Sequence, residues 1–207
     1  MDISKKILET TGKNLRNEIH KGKVELKEFD ASYSLPFLSN SFDAVFSLDL
    51  LECLHESKKL KLLREIYRVL KPGGRMVIEH TDWDTQVWNT DDKDLERRLV
   101  HAYCDIKQKW MKHAEGWMGR KLWGWVHQQK LFQKARVEPY VLTNTEYKPP
   151  LFGHGLSLAL EVVLGDKKYG ISKKDLSRFL TGLKIQAKRS SYFYSVNRYV
   201  LIVYKRR

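Results

Sequence analysis

Two stretches decide the fold: LPFLSNSFDAVFS, residues 35–47, and LLREIYRVLKPGG, residues 62–74. The first leads from a polar loop into the largely apolar run 42–48, which is typical of a strand buried on both faces. The second is an amphipathic helix over about 57–70. It ends at the turn Lys71-Pro72-Gly73-Gly74, because proline cannot continue a helix and glycine permits a tight turn. A further strand over 75–80 follows.

The rest of the chain continues this alternation of helices and strands. The spacing of apolar residues predicts helices over 3–20, 93–113, 156–164 and 172–188, and a second helical piece after 113 that runs to about residue 135. It predicts strands over 23–29, 137–145 and 192–204. Ser172 followed by Asp175 gives the last helix a start like a capping box. Strands that alternate with helices indicate an α/β fold with a mostly parallel sheet.

The chain has 207 residues, 42% of them hydrophobic, and a formal net charge of +13. This composition excludes a disordered or fibrous protein and fits one globular domain. The charge is uneven: residues 1–100 hold 17 Lys and Arg against 18 Asp and Glu, and residues 101–207 hold 21 against 7. An anionic partner is therefore expected to meet the second half.

Cysteine and histidine usage points to a reduced setting without a metal. Two cysteines, Cys53 and Cys104, are too few to stabilise a domain of this size through disulfides. Their apolar neighbours indicate buried thiols in a cytosolic protein. The seven histidines show no metal-ligand spacing with them, so no metal is expected. The N-terminus lacks the apolar segment of a signal peptide, and no run reaches the ~20 apolar residues of a membrane span.

Taken together, the two opening stretches resemble class I S-adenosylmethionine-dependent methyltransferases. The likeness is closest to the type 11 group that includes the ubiquinone and menaquinone biosynthesis methyltransferases. That group's pattern is Leu-Pro-Phe, a short polar loop, Phe-Asp-x-Val on a strand, and a helix that ends in Arg-Val-Leu-Lys-Pro-Gly-Gly. Residues 35–45 and 68–74 contain every one of these elements. The resemblance implies a Rossmann-like sheet and S-adenosyl-L-methionine as the cofactor.

The resemblance also assigns site residues. In the family, an acid at the end of the second strand binds the ribose of the cofactor, and an acid after the third strand binds the adenine. The backbone at the end of the fourth strand contacts the methionine part. The corresponding cofactor-binding residues are Asp2, Ile3, Asp30, Ala31, Ser47 and Leu48. The alternatives are that Asp2 is only a helix N-terminal acid and Asp30 only a turn residue.

Residues after the strand 75–80 are expected at the carboxyl edge of the sheet, where open α/β folds bind ligands. His80 and Asp82 are the candidate acid/base pair, against the alternative that His80 is a satisfied strand-end residue. Asp82, Trp83 and Trp88 are the candidate substrate residues. All six tryptophans (Trp83, Trp88, Trp110, Trp117, Trp123 and Trp125) fall in one region, where they would form a lid or simply pack helices.

The family's glycine-rich turn after its first strand has no counterpart in residues 1–207. In the family's strand order, 3-2-1-4-5-7-6, strands 1 and 2 lie between 3 and 4. We therefore expect a sheet truncated at its N-terminal side, with weak cofactor binding and an exposed edge on the strand 42–48. A late start codon, a partner chain or oligomer that completes the sheet, and a stable binding module are the explanations left open.

The sequence thus predicts a single methyltransferase-like domain, 1–207, with a cofactor side, 1–90, and a basic, tryptophan-rich substrate side, 91–207. The implied function is methyl transfer to a small organic acceptor. An RNA methyltransferase, suggested by the basic second half, and a non-catalytic remnant or subunit are the alternatives.

Overall fold

The computed structural model describes residues 1–109, 111–165 and 167–207 and contains a five-stranded sheet. Its strands are β1 (Phe42–Leu48), β2 (Leu70–Thr81), β3 (Val87–Trp88), β4 (Phe132–Asn144) and β5 (Tyr194–Lys205). The α-helices are α1 (Lys5–Asn14), α2 (Arg16–His20), α3 (Glu56–Val69), α4 (Lys93–Asp105), α5 (Met118–Gln128), α6 (Phe152–Ala159) and α7 (Lys173–Lys188). Short 3-10 turns span Leu51–Cys53, Trp83–Thr85 and Leu160–Val163.

The sheet is α/β as expected, but the prediction that it is mostly parallel is wrong. β1 and β2 are parallel, with Leu48 opposite Glu79. β5 runs antiparallel to β2, β3 and β4. β2 and β3 pair with successive parts of β5, and β4 pairs along its whole length on the other side. β4 is therefore an edge strand, which tolerates Pro139.

β1 forms the opposite edge of the sheet. Its expected burial on both faces is wrong, because Ala44, Phe46 and Leu48 are exposed. Phe46 is 61% and Leu48 49% exposed. No described element pairs with the outer side of β1, in agreement with the edge expected for the strand 42–48.

Two predicted strand and helix ranges need correction. The predicted strand 23–29 is reduced to one parallel bridge between Asp2 and Glu28. Among the described residues, no strand of greater length pairs with it. The helix predicted over 93–113 ends at Asp105. The segment after it lies on the sheet edge. There the backbone nitrogen of His113 donates to the carbonyl of Cys53, and the backbone nitrogen of Trp83 donates to the carbonyl of Gly116. Trp110 lies outside the described residues.

The helix predicted to run to about residue 135 also ends early. α5 ends at Gln128, and Lys130 and Lys134 both adopt positive φ, at 53° and 52°. A left-handed residue interrupts a helix, so the chain turns into β4 at Phe132 instead. The capping box predicted for the last helix is confirmed: the Ser172 hydroxyl accepts from Asp175, and the Asp175 carboxylate accepts from the Ser172 backbone.

The motif Lys71-Pro72-Gly73-Gly74 forms a bulge inside β2 rather than a turn between elements. Leu70 pairs with Phe42, and the next paired residue, Arg75, lies opposite Ala44. Gly73 has a φ of 79°, and a Cβ on Gly74 would lie 2.9 Å from the carbonyl oxygen of Lys71. Both glycines are therefore required by the local backbone.

Two hydrophobic cores fill the space around the sheet. The first joins α3, β2 and α5 and includes Leu63, Ile66, Met76 and Leu122. The second joins α4, α6 and α7 to the start of β5 and includes Leu99, Phe179 and Tyr194. Within the described ranges, no helix is long and apolar enough to be a membrane span.

Gly116 is expected to tolerate no side chain. A Cβ there would overlap the carbonyl oxygen of Cys104 and lie 2.5 Å from its Sγ. Gly116→Ala should therefore lower the free energy of unfolding by about 1–3 kcal/mol, the usual cost of overpacking. Urea denaturation measures this change.

Gly124→Ala is the matched control, because no described atom lies within 4 Å of a Cβ at Gly124. In the interior of α5 it should raise stability by about 0.5–1 kcal/mol. Equal stability of Gly116→Ala and wild type would contradict the packing described for the segment after α4.

Candidate functional site

A buried polar cluster lies where β1 and β2 end at the carboxyl edge of the sheet. It is built around Asp49, the first residue after β1, which adopts a positive φ of 44°. The Asp49 carboxylate accepts from the backbone nitrogen of Thr81 at 2.7 Å and from the Arg198 guanidinium at 2.8 Å. One side chain thus connects the end of β1 to both β2 and β5.

Glu52 faces the same cluster from the 3-10 turn Leu51–Cys53. It is 5% exposed, and its Oε2 accepts from the indole nitrogen of Trp83 at 2.5 Å. Burial is the largest cause that raises the pKa of Glu52, to about 8, and the nearby Asp49 charge adds to it. Glu52 is therefore largely protonated at pH 7.

His80 is the third member of the cluster; it lies near the end of β2 and is fully buried. Its Nε2 accepts from the backbone nitrogen of Leu51 at 3.1 Å, so the ring proton is assigned to Nδ1. Nδ1 lies 3.6 Å from Asp49 and 3.9 Å from Glu52 and has no hydrogen-bond partner in the described part of the chain. Burial lowers the pKa of His80 to about 3, and the imidazole is neutral.

Asp49, Glu52 and His80 present ligand-type atoms within 4.8 Å of one another, which raises the question of a metal. The bond from Leu51 occupies the lone pair of His80 Nε2 and leaves Nδ1 as a donor. A donor nitrogen cannot coordinate an ion. The expectation of no metal therefore remains our prediction for this cluster.

Arg198, on β5, is the buried cation of the cluster. Its guanidinium lies between Asp49 and Glu79, with Nε 2.9 Å from the Glu79 carboxylate. The Tyr140 hydroxyl donates to the same carboxylate from β4. Burial raises the pKa of Asp49 despite its bonds to Thr81 and Arg198. Asp49 and Glu79 thus balance Arg198, and Glu52 adds negative charge to the cluster only as the pH rises toward 8.

The two predicted catalytic residues do not act on each other. His80 faces Asp49 and Glu52, whereas the Asp82 carboxylate accepts from the Arg120 guanidinium at 2.6 and 2.7 Å. Asp82 is 1% exposed. An acid held in this bidentate way is a structural anchor for α5, and a neutral His80 with its Nδ1 protonated is a donor toward the cluster.

The predicted substrate residues lie in two places. Trp83 belongs to the cluster through Glu52, and its ring packs against Tyr103 and Phe152. Trp88 is 3% exposed and packs in the second core against Phe179 and Tyr194. A contact of either residue with substrate remains a prediction.

Four of the six predicted cofactor residues lie side by side. The backbone nitrogen of Phe29 donates to the Asp2 carbonyl, which brings Asp2 and Ile3 beside Asp30 and Ala31. The Asp2 Oδ1 accepts from Ser4, and its Oδ2 has no bond among the described residues. One Asp30 oxygen accepts from Ser32 and the other from the exposed Lys112.

The pKa of Asp30 reflects these contacts. Partial burial raises it, but the hydrogen bonds from Lys112 and Ser32 outweigh burial and hold the pKa below its usual value. Asp30 is therefore ionised, with one oxygen engaged by an exposed lysine, and such exposed pairs contribute little to stability. A ligand amino group could replace Lys112 at small cost.

Ser47 and Leu48 lie at the end of β1, beside the cluster. The Ser47 hydroxyl is buried and has no hydrogen-bond partner among the residues that the structure describes, and Leu48 is 49% exposed. The free Asp2 oxygen, the Ser47 hydroxyl and the carboxyl groups of Asp49 and Glu52 are of the chemistry that would hold the ribose, methionine and sulfonium groups of S-adenosylmethionine. No hydrogen bond among residues of known placement joins Asp2 or Asp30 directly to Ser47.

Sequence reasoning missed Asp49, Glu52 and Arg198. An available signal for the first two was their position immediately after a strand that ends at the ligand edge. The signal for Arg198 was a cation immediately before the apolar run 199–204.

The raised pKa of Glu52, about 8, should make stability depend on pH. Between the unfolded value near 4.5 and about 8 the folded state binds the extra proton, so wild-type stability falls as pH rises through this window. Glu52→Gln should be more stable than wild type at pH 8.5 by about 1–4 kcal/mol and no more stable at pH 4.5. Urea unfolding at both pH values tests this.

The matched control is Glu161→Gln, an exposed glutamate on the 3-10 turn Leu160–Val163. It should follow the wild-type dependence on pH. A Glu52→Gln variant that also parallels wild type at both pH values would contradict the assigned protonation of Glu52.

Comparison with known proteins supports the family suggested by the sequence motifs. Residues 1–78 match the family model described as a methyltransferase domain. The methyltransferase GfsG of Streptomyces halstedii is 25% identical over 177 residues, which cover 84% of this chain and 57% of GfsG. The ubiquinone/menaquinone biosynthesis C-methyltransferase UbiE of Escherichia fergusonii is 40% identical over 80 residues, which cover 37% of this chain and 30% of UbiE. The chain thus spans less than two thirds of either relative.

Solved structures share the fold at low sequence identity. The YcgJ protein from Bacillus subtilis superposes with a TM-score of 0.54 at 15% identity, covering 99% of this chain and 80% of YcgJ. The [4+2]-cyclase SpnF superposes with a TM-score of 0.50 at 17% identity, covering 99% and 64%. The chain is thus similar to methyltransferase domains in its N-terminal sequence and shares its fold with these solved structures.

Proposed function

We propose that the protein transfers a methyl group from S-adenosylmethionine to a small organic acceptor. The observation that carries the proposal is the acidic cluster at the ends of β1 and β2, where the carboxyl groups of Asp49, Glu52 and Glu79 lie together around Arg198. A sulfonium is a compact cation, and such a site favours it electrostatically. The family match over residues 1–78 supports the same cofactor.

The chain's own residues divide the binding work by chemistry. The free oxygen of Asp2 would accept from the ribose hydroxyls, and Asp30 from the adenine amino group once Lys112 moves aside. The Ser47 hydroxyl and the backbone after β1 would contact the methionine part. When bound, the cofactor supplies the activated methyl group.

The catalytic contribution of these residues is mainly positioning. Methyl transfer from a sulfonium needs an in-line approach and a site that excludes water. Trp83 packs between Tyr103 and Phe152 beside Glu52 and would shield the reacting atoms. His80 and Asp49 hold the loop Leu51–Cys53 on the sheet edge and so fix the wall of the site.

The acceptor is not defined by the fold. The similar structure SpnF is described as a cyclase, so members of this fold differ in the reaction they catalyse. We favour a small molecule over RNA, because the basic residues Lys112, Arg120 and Lys121 are engaged by Asp30, Asp82 and Glu115. We place the protein in the cytoplasm, since both thiols are free.

The decisive experiment compares S-adenosylmethionine with S-adenosylhomocysteine, which lacks the positive charge. Because the pKa of Glu52 is about 8, the cluster gains negative charge between pH 6.5 and 8.5. The preference for the cation should rise over this range by about 3–10-fold in wild type and stay flat in Glu52→Gln. Calorimetric titration measures both ligands.

Glu161→Gln serves again as the matched control and should retain the wild-type rise. No binding of either ligand to wild type would refute the proposed cofactor. An equal preference at both pH values in wild type would refute the role of the cluster in holding the sulfonium.

The RNA alternative has its own test. If the basic half 101–207 binds RNA, a tRNA mobility shift should appear at low salt and weaken steeply as salt rises. We expect no shift at 150 mM salt. A mobility shift that persists at 150 mM salt, and that a small-molecule acceptor competes away, would favour an RNA methyltransferase.

A further inference from the structure

A second histidine lies outside the buried cluster and is paired with a different acid. His101, on α4, has its Nδ1 2.6 Å from the Asp84 carboxylate, which lies in the 3-10 turn Trp83–Thr85. The ring is half-exposed, and its Nε2 has no partner among the described residues. Because an ionised carboxylate only accepts, Nδ1 carries the proton and Nε2 is the basic nitrogen.

Asp84 is itself fixed by α5. Its second oxygen accepts from the Trp117 indole nitrogen at 3.1 Å and lies 3.6 Å from the Arg120 guanidinium. The Arg120 guanidinium also lies over the Trp117 ring, 4.7 Å from its centroid. Asp84 is thus held in place on the side away from His101, which gives the imidazole one orientation and one tautomer.

His101 and Asp84 both line a cavity of about 590 Å³ between β3 and α4. Val87, Val100 and Phe193 give it an apolar wall. The rest of the lining is mostly polar or charged, so the cavity suits a small molecule that carries both apolar and polar groups.

The cavity and the acidic cluster meet at one turn of the chain. Trp83 points its indole nitrogen at Glu52 in the cluster, and the next residue, Asp84, points at His101 in the cavity. The cavity and the cluster therefore share the 3-10 turn Trp83–Thr85 as a common wall.

We propose that His101 is the general base for a hydroxylated acceptor, an alcohol or phenol, bound in this cavity. Asp84 is its positioning residue. The inference rests on the proposed methyl transfer from S-adenosylmethionine and names the acceptor class for it.

The step balances without a further reactant. His101 Nε2 takes the hydroxyl proton, and the oxygen lone pair forms the new bond to the methyl carbon. The electron pair of the breaking carbon–sulfur bond stays on sulfur, which becomes a neutral thioether. The half-exposed ring then returns its proton to water.

The first test needs no turnover. Two-dimensional 15N–1H spectra of ring-labelled full-length protein at pH 8 should show His101 protonated at Nδ1 and bare at Nε2. Asp84→Asn should abolish this preference. Addition of 2-naphthol, an apolar phenol used as the probe, should shift the His101 ring signals in wild type. His127→Gln, which removes an exposed histidine stacked on Trp123, is the control and should leave them unchanged.

The second test measures formation of 2-methoxynaphthalene from 2-naphthol and S-adenosylmethionine. His101→Gln should lower kcat by about 100-fold or more, the usual contribution of a general base, while cofactor affinity stays within about twofold. Asp84→Asn should lower kcat by about tenfold, because the ring remains but its tautomer is no longer fixed. His127→Gln should match wild type.

The outcomes separate the two proposals. Absence of S-adenosylmethionine binding to wild type refutes the proposed function and the transfer step with it. Cofactor binding and turnover with an unchanged rate in His101→Gln refute only the role of His101. A His101 ring protonated at Nε2, or ring signals that 2-naphthol leaves unmoved, likewise overturns the inference.

Discussion

The carboxylate of Asp49 is the interaction on which the rest of the ligand edge depends. It is the one group of the cluster that contacts β2 through Thr81 and β5 through Arg198 while belonging to the end of β1. Its positive φ directs the chain into the turn that carries Glu52, whose position in turn fixes Trp83. Loss of the Asp49 carboxylate would leave Glu79 as the remaining ionic partner of Arg198, and removal of one partner of a buried ion pair is costly.

The fold was predictable in its order but not in its strand directions or limits. Apolar periodicity located β1, β2 and β5, because long, strongly patterned segments override local ambiguity. Periodicity carries no information on pairing direction, so β5 and β4 were assigned to a mostly parallel sheet. After α4 ends at Asp105, His113 donates to Cys53 and Gly116 accepts from Trp83, and such long-range backbone contacts leave no local signal.

The site was predictable only where a family motif marked it. Asp2, Asp30 and Ser47 came from the resemblance, and the structure leaves an oxygen of Asp2 and the hydroxyl of Ser47 free to bind. His80 was identified by position, yet its burial makes it a neutral donor rather than a base. Asp82 was not recognisable as a partner of Arg120, because 38 residues separate them and ion pairs across elements follow tertiary packing.

The open edge of β1 has a consequence for the behaviour of the chain in solution. Phe46 and Leu48 are exposed beside unpaired strand backbone, which is a template for adding another strand. The net charge of +13 opposes association in general, but it resides in residues 101–207, whereas β1 lies in the half that is close to neutral. Self-association is therefore expected to begin at the exposed edge of β1, where the net charge gives little protection. Its extent should depend on protein concentration more than on ionic strength.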